Sequence, residues 1–428
     1  MLFKNITLVD ENYDIQKHMN IITKENKIAY IGRDIPSDYS GDVFDGNNKV
    51  AIPGLFNTHC HIPMTVLRGY GEGLPLHRWL HEKMFPFEAR LNGEDCYFAG
   101  MLGAMELIKS GAVSFTDMYF NILDIARAVK DSGLKANICH GVSVNGDTRY
   151  KDLKGYRDTE SLYSFVKQDT TDRIKVDAGL HAEYTSDEAL IRDVADYAKS
   201  MNMIIQTHIS ETRKEHEECK LRHGMTPVAY LERHGLLDQP LVAAHCVWVE
   251  GDDFDILRDK GVTVAHCMSS NLKLGSGFAP VKRMIDNGIK VSIGTDGASS
   301  NNNLNMLEEI NLSAIANKGI TNDPEFMTPK QILRLATLNG AMAQGREDCG
   351  SIKIGNRADI VVFDFDKPHL QPVHDILSNI IFSAEASDIC LSMIDGEVVY
   401  KDGYFTNIDT ERVIYEVNRT SKRILSEL

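Results

Sequence analysis

His59 and His61 flank Cys60 in the segment NTHCHIPM. On an extended strand, residues two apart project to the same side, so both imidazoles can reach one metal ion. With 15 histidines in 428 residues, a His-x-His will also arise by chance, and spacing alone does not separate ligation from coincidence. Two further residues do. His208 in IIQTHISE and Asp296 in VSIGTDG each close an apolar run that should be buried, and a carboxylate in such a place needs a partner, most simply a cation. Taken singly, a helix-capping aspartate and a satisfied core histidine are ordinary; four such residues at strand ends read as one site. Three imidazole nitrogens and one carboxylate oxygen suit zinc first and ferrous iron second, with a position left for water. One divalent metal per chain is therefore expected. A metal lowers the pKa of bound water from about 15.7 toward about 7, so the implied chemistry is hydrolytic.

The elements that must position these residues are visible in the apolar pattern. Eight short β-type runs alternate with helix-length segments: VAIPGLFNTH, GAVSFTDMYF, LKANICHGVS, IKVDAGLHAEY, MNMIIQTHIS, PLVAAHCVWV, GVTVAHCMSS and IKVSIGTDG. That alternation predicts parallel strands joined by crossover helices, with Ser186 as a helix cap and Gly111 as a helix stop. An open doubly wound sheet could be built from the same pattern. The polar residues decide: His59, His61, His181, His208, His245, His266 and Asp296 all fall at or just past the C-terminal end of a run, and only a closed (β/α)8 TIM barrel converges those ends on one mouth. The β-rich texture of residues 1–52 resumes after residue 345, including the hairpin pair Asp395-Gly396. We therefore expect a catalytic barrel over 53–345. A small composite β-sandwich should form from 1–52 and 346–428, the latter ending in a helix.

Composition limits the partners. The net charge of −15 opposes binding to a phosphate backbone or to anionic lipid, leaving small molecules and neither nucleic acid nor membrane. The eight cysteines form no CxxC pair and sit in apolar runs such as AAHCVWV, as reduced core residues of a cytoplasmic protein do. The first residues, MLFKNITLVDEN, carry neither a basic leader nor a long apolar stretch.

Several segments together carry a family resemblance. PGLFNTHCHIPMTVLRG, HISE at 208–211, AAHC at 243–246, SIGTDG at 292–297 and GSIKIGNRADIVVFD resemble the amidohydrolase superfamily in order and spacing, across essentially the whole chain. Within it, MTVLRGYGEGLPLHRWLHEKMFPFEARL and DMYF at 117–120 are most similar to the methylthioadenosine/S-adenosylhomocysteine deaminases. The resemblance implies the barrel and composite sandwich already proposed, and metal-dependent hydrolytic deamination of an adenine nucleoside. Candidate substrates are 5′-methylthioadenosine, S-adenosylhomocysteine, adenosine and 5′-deoxyadenosine. It assigns His59, His61, His208 and Asp296 to the metal, and makes Glu211 the proton carrier to the purine N1. His245 sits beside the attacking water, and Asp296 also takes the water's proton. His181 contacts the purine, Glu88 clamps the ribose hydroxyls, and His140 with Arg149 or Arg157 lies near the 5′ substituent. Binuclear relatives bridge two ions through a lysine ending the fourth strand; here that strand ends GLHAEY and its one lysine, Lys175, lies at the other end, so a single ion is expected. Family members are often oligomers, which extends to this chain the expectation of a homo-oligomer.

Two other functions are compatible with such a scaffold. One is an aminohydrolase or chlorohydrolase acting on guanine, a pterin or a triazine, against which Glu88 argues, because a free base offers no ribose to hold. The other is a catalytically inactive metal-binding scaffold, against which Glu211 and His245 argue, because a structural metal needs no proton shuttle.

Overall fold

The computed structural model describes residues 1–428 apart from 145 and 147. Its centre is a ring of eight parallel strands: Leu55–Cys60, Ala112–Tyr119, Lys135–His140, an interrupted fourth strand (Ile174–Val176 and Ala178–Ala182), Ile205–Ile209, Leu241–His245, Thr263–His266 and Lys290–Ile293. Most of these strands are buried at every position. Helices cover their outer face and side chains fill the middle, and so the runs read as continuously apolar rather than alternating. The first four pair in order, as do the last five segments counted from Ala178. The break at Asp177 is bridged by a Val142–Leu180 pair. The last strand returns to the first: Thr58 Oγ1 donates to the Ile293 carbonyl at 2.9 Å and the Asp296 amide to the His59 carbonyl at 3.0 Å. Gly294 makes that approach possible, because a Cβ there would lie 2.9 Å from the His59 Cβ.

Between the strands, helices start where side chains satisfy their free amides. Asn92 and Asp95 form a capping box at Gly93–Lys109, and Gly111 stops that helix with φ +86. At Glu188–Met201 the cap is Asp187, which accepts from the Leu190 amide at 2.8 Å, and not Ser186. Ser186 is held extended by a bridge to Val144, so the residue after it takes the capping position.

Residues from both ends of the chain form one nine-stranded mixed sheet. Lys49–Pro53, the last strand before the barrel, pairs antiparallel with Ile360–Asp364, the first after it. The sheet curls over a core of its own in which Phe3, Ile21 and Ile28 meet Ile360, Leu391 and Met393. Backbone bonds from Ile28 to Asn356 and from Gly355 to Ile28 draw the N-terminal edge back to the C-terminal half, so the layered region is closed by one continuous sheet. The final helix, Thr410–Glu427, packs on the barrel instead, with Thr420 Oγ1 and an Arg423 guanidinium nitrogen donating to Asp95 at 2.7 and 2.6 Å.

Sheet and barrel are joined by a buried charge cluster. Lys135 opens the third barrel strand, and its Nζ contacts Asp359 at 2.6 Å and Asp395 at 2.9 Å; Arg173 and Arg357 complete the shell of Asp395. Removing one partner of such a cluster leaves buried charge uncompensated, at about 3–5 kcal/mol. Lys135→Met should therefore lower the unfolding free energy by an amount in that range in a urea titration. A loss under about 1 kcal/mol would mean that water already reaches the cluster.

Candidate active site

The strand ends converge as their polar residues require. His59 and His61 point to one side of the first strand, and both Nε2 atoms face Asp296 Oδ1, at 3.5 and 3.2 Å. His208 Nε2 lies 3.3 Å from His61 Nε2. The ligating atoms of His59, His61 and Asp296 lie within 4.8 Å of one another, as do those of His59, His208 and His245.

The hydrogen bonds behind these rings determine what their front atoms are. His61 Nδ1 lies 2.5 Å from the Met118 carbonyl and His208 Nδ1 lies 2.7 Å from the His181 carbonyl. A carbonyl only accepts, so each Nδ1 carries the hydrogen and, on the neutral ring, each Nε2 presents a lone pair. His59 Nε2 is buried without a hydrogen-bond partner. Burial pulls His59 down to about 4 and His208 well below the usual histidine range, the neutral form a metal needs. For His61, burial is outweighed by the Asp296 carboxylate, which lifts it to about 9. For Asp296, burial opposes charge but His59 and His61 hold the carboxyl well below its ordinary range. The neutral rings of His59 and His208 and the Asp296 carboxylate favour positive charge at the buried point between them, which is what holds a proton on His61, and with that proton displaced the donor set fits a divalent cation.

Sequence reasoning missed the supports. Ser270 and Ser300 both donate to Asp296 Oδ2, at 2.6 and 2.8 Å, leaving Oδ1 to face the imidazoles. Asn271 Oδ1 lies 2.8 Å from His245 Nδ1. Glu215 accepts from the Ser210 and Glu211 amides at 2.8 and 2.7 Å, so a helix-capping box also fixes the turn that carries Glu211. The runs MSSN and GASSN were the available signal: hydroxyl and amide residues directly after strand ends. His245 and Asp296 sit at φ +74 and +60, a left-handed conformation that costs a residue with a side chain about 1–3 kcal/mol and persists where surroundings over-determine it.

A cavity of about 820 Å3 opens over this cluster, and His61, His181, His208, Glu211, His245 and Asp296 line one end. Glu211 is buried, with Oε2 3.8 Å from His245 Nε2 and Oε1 accepting from Ser276 Oγ at 3.4 Å, and burial raises its pKa. It is therefore no exposed helix-start acid; Thr212 caps the helix instead. His181 lines the cavity, kept neutral by burial with its pKa near 4. Glu88 lines the wall and accepts from the Tyr119 hydroxyl at 2.6 Å. His140 reaches the cavity beside Lys154.

Arg149 does not join them. Its side chain is 61% exposed and its Nε donates to Asp193 at 2.6 Å, because the loop after the third strand carries it outward to that carboxylate. Arg157 is also exposed, donating to the Asp152 carbonyl. His266 is buried outside the cavity, near Asn317, and Lys175 is engaged by the Gly345 carbonyl. All eight cysteines are free and seven of them are buried. No described helix is long and apolar enough to cross a membrane.

Comparisons with known proteins agree with this geometry. Residues 50–399 match the model of the amidohydrolase family. The chain is 39% identical over 428 residues to the 5-methylthioadenosine/S-adenosylhomocysteine deaminase of Thermoanaerobacter pseudethanolicus, covering 99% of both chains. It is 40% identical over 395 residues to the 5′-deoxyadenosine deaminase of Methanothermobacter thermautotrophicus, covering 92% of each. The solved structure of an adenosine deaminase from Xanthomonas campestris with bound zinc superposes with a TM-score of 0.94 at 28% identity, covering 99% of this chain and 98% of that one.

One equivalent of divalent metal per chain is expected in purified protein, and His208→Ala should lose it. Ser270→Ala should keep the ion but weaken its affinity about 10–100-fold, as removal of a hydrogen bond behind a ligand does, measured by competition with a chromogenic chelator. Two equivalents, both required for turnover, would contradict the single-ion site.

Proposed function

The chain belongs to the amidohydrolase family, and from that premise we propose that it hydrolyses the C6 amino group of an adenine nucleoside, giving the inosine analogue and ammonia. The observation that carries this reading is the pairing of Glu211 and His245 beside the metal-ligand cluster with Glu88 and Tyr119 in the same cavity. One end suits hydrolysis of a ring C–N bond and the other suits a sugar diol. The relatives' names, those of two deaminases of 5′-modified adenine nucleosides and of one adenosine deaminase, support it.

His59, His61, His208 and Asp296 would hold one divalent ion, which we take to be zinc as in the Xanthomonas campestris enzyme. When bound, such an ion acidifies water from about 15.7 toward about 7 and so supplies the nucleophile. His245, fixed through Asn271, orients that water toward C6. Asp296 accepts its proton. Glu211, whose burial favours the protonated acid, delivers a proton to the purine N1 and makes C6 electrophilic; the proton taken by Asp296 then passes to the C6 amine, the C6–N bond breaks with loss of ammonia, and the C6 hydroxyl returns its proton to Glu211 as the carbonyl forms. His181, neutral, offers a ring nitrogen to the base. Glu88 accepts from the ribose hydroxyls, and Tyr119 orients its carboxylate. Glu88 also separates this reading from guanine, pterin or triazine hydrolysis. We place the enzyme in the cytoplasm, acting on a small-molecule nucleoside and forming a homo-oligomer, and the net charge of −15 is in keeping with a small-molecule substrate.

Ammonia release across adenosine, 5′-methylthioadenosine, 5′-deoxyadenosine, S-adenosylhomocysteine and guanine tests the reaction; activity on guanine alone would overturn it. Glu211→Gln keeps size but not the transferable proton, so kcat should fall about 10²–10⁴-fold with metal content intact. A tenfold or smaller loss would demote Glu211 to positioning. Glu88→Ala should cost nucleosides about 1.5–3 kcal/mol in kcat/KM, the worth of hydrogen bonds to a charged acceptor; an unchanged kcat/KM would remove the ribose clamp.

A further inference from the structure

The cavity is larger than one nucleoside core needs, and its remaining wall differs in chemistry from the metal end. Leu76, Trp79, Leu80, Phe85 and Phe120 line it, and Tyr119 stacks on Phe120 with ring centroids 4.2 Å apart. Among the described residues, Lys154 is the one lysine or arginine in the lining, and its Nζ lies 2.6 Å from Asp158 Oδ2. The same oxygen lies 3.1 Å from His140 Nδ1. His140 is itself neutral, because burial lowers its pKa. Arg149 is turned away onto Asp193. A carboxylate entering this end would therefore meet a cation already neutralised. An ammonium would fare no better: the carboxylates lining the cavity are Glu88, which holds Tyr119, and Glu211 and Asp296 at the metal end.

Resting on the deaminase reading above, we propose that this site is selective for adenine nucleosides with an uncharged, apolar 5′ substituent, and that Asp158 acts as a positioning residue that enforces the selection by occupying Lys154. A methylthio or deoxy 5′ end buries apolar surface against Trp79, Phe85 and Phe120 and brings no charge with it. The homocysteine end of S-adenosylhomocysteine brings an ammonium and a carboxylate whose lost hydration Trp79, Phe85 and Phe120 do not replace, and the other side chains the lining offers there, such as His81, Asn121 and Ser143, include no free opposite charge.

The test is steady-state deamination by the metal-loaded enzyme of 5′-methylthioadenosine, 5′-deoxyadenosine and S-adenosylhomocysteine. The two apolar substrates should be used comparably, and S-adenosylhomocysteine with kcat/KM lower by about tenfold or more. Asp158→Asn frees Lys154 to meet a carboxylate, so the ratio of S-adenosylhomocysteine to 5′-methylthioadenosine should rise by about two- to fivefold, the worth of one partly exposed ion pair. A merely structural role for Asp158 would depress both substrates and leave that ratio unmoved. Lys154→Met, an independent variant on a largely exposed side chain, should leave the ratio within about twofold of wild type. Equal or better use of S-adenosylhomocysteine by wild type, an unmoved ratio in Asp158→Asn, or selective loss of S-adenosylhomocysteine in Lys154→Met would each overturn the proposal. Turnover of none of the three would instead overturn the reaction, and this inference with it.

Discussion

The structure is organised around the cost of holding imidazole lone pairs and a carboxylate against one another out of water. His59, His61, His208 and Asp296 gather their donor atoms over a few ångströms in buried surroundings, an arrangement that favours dispersal unless a cation binds. The fold prevents dispersal by engaging the rear of three of them, His61, His208 and Asp296. The Met118 and His181 carbonyls hold two rings by Nδ1, and Ser270 with Ser300 holds the far oxygen of Asp296. Three of these supports, the two carbonyls and Ser270, come from a barrel element other than the one carrying the group they hold, and Ser300 comes from the turn that carries Asp296 itself. The barrel therefore acts as the clamp, and preorganisation for the ion is distributed over six of its strands or the turns that follow them.

The same distribution explains where local preference is overridden. His245 and Asp296 adopt positive φ, a conformation their own side chains disfavour. Asn271 draws the His245 ring to one position, and two serines with a backbone bond to His59 draw Asp296 to another. Glu215 does the corresponding work for Glu211 by gathering two amides of its turn. Stability elsewhere makes this tolerable. The buried Lys135 cluster fastens the floor of the barrel to the curled sheet, and the closing helix is tied to Asp95, so strain at the mouth is opposed by rigidity at the base and flank.

How much of this was legible in the sequence depended on whether a residue's role followed from its own element. Strand ends were readable because continuous apolar runs ending in His or Asp have few structural explanations, and a shared side for His59 and His61 follows from strand geometry alone. Glu211 and Glu88 needed the family resemblance, since nothing local shows that an acid after a strand, or one among FPFEA, faces a cavity. The capping position missed by one residue, because Ser186 and Asp187 are equally good caps locally and only the long-range bridge to Val144 separates them. Arg149 misled for a similar reason: its destination is set by Asp193, far along the chain, and an arginine near a site has no intrinsic direction. The supports Ser270, Asn271 and Ser300 lay in plain sight as polar residues after strands, but the targets of Ser270 and Asn271 are residues of other strands.

That contrast bears on how such a barrel diversifies. His61, His208, His245 and Asp296 are each fixed by a partner outside their own strand, so replacing one disturbs several. The wall that faces the substrate's far end is built from the segment over 76–88 and from the loop and helix after the third strand, where contacts are local: Lys154 meets Asp158 within one helical turn. A single exchange there alters charge at the mouth without reaching the supports of Asp296 or His245. The metal-facing groups are thus held mainly by long-range bonds between elements, whereas Lys154 and Asp158 at the other end meet within one helix.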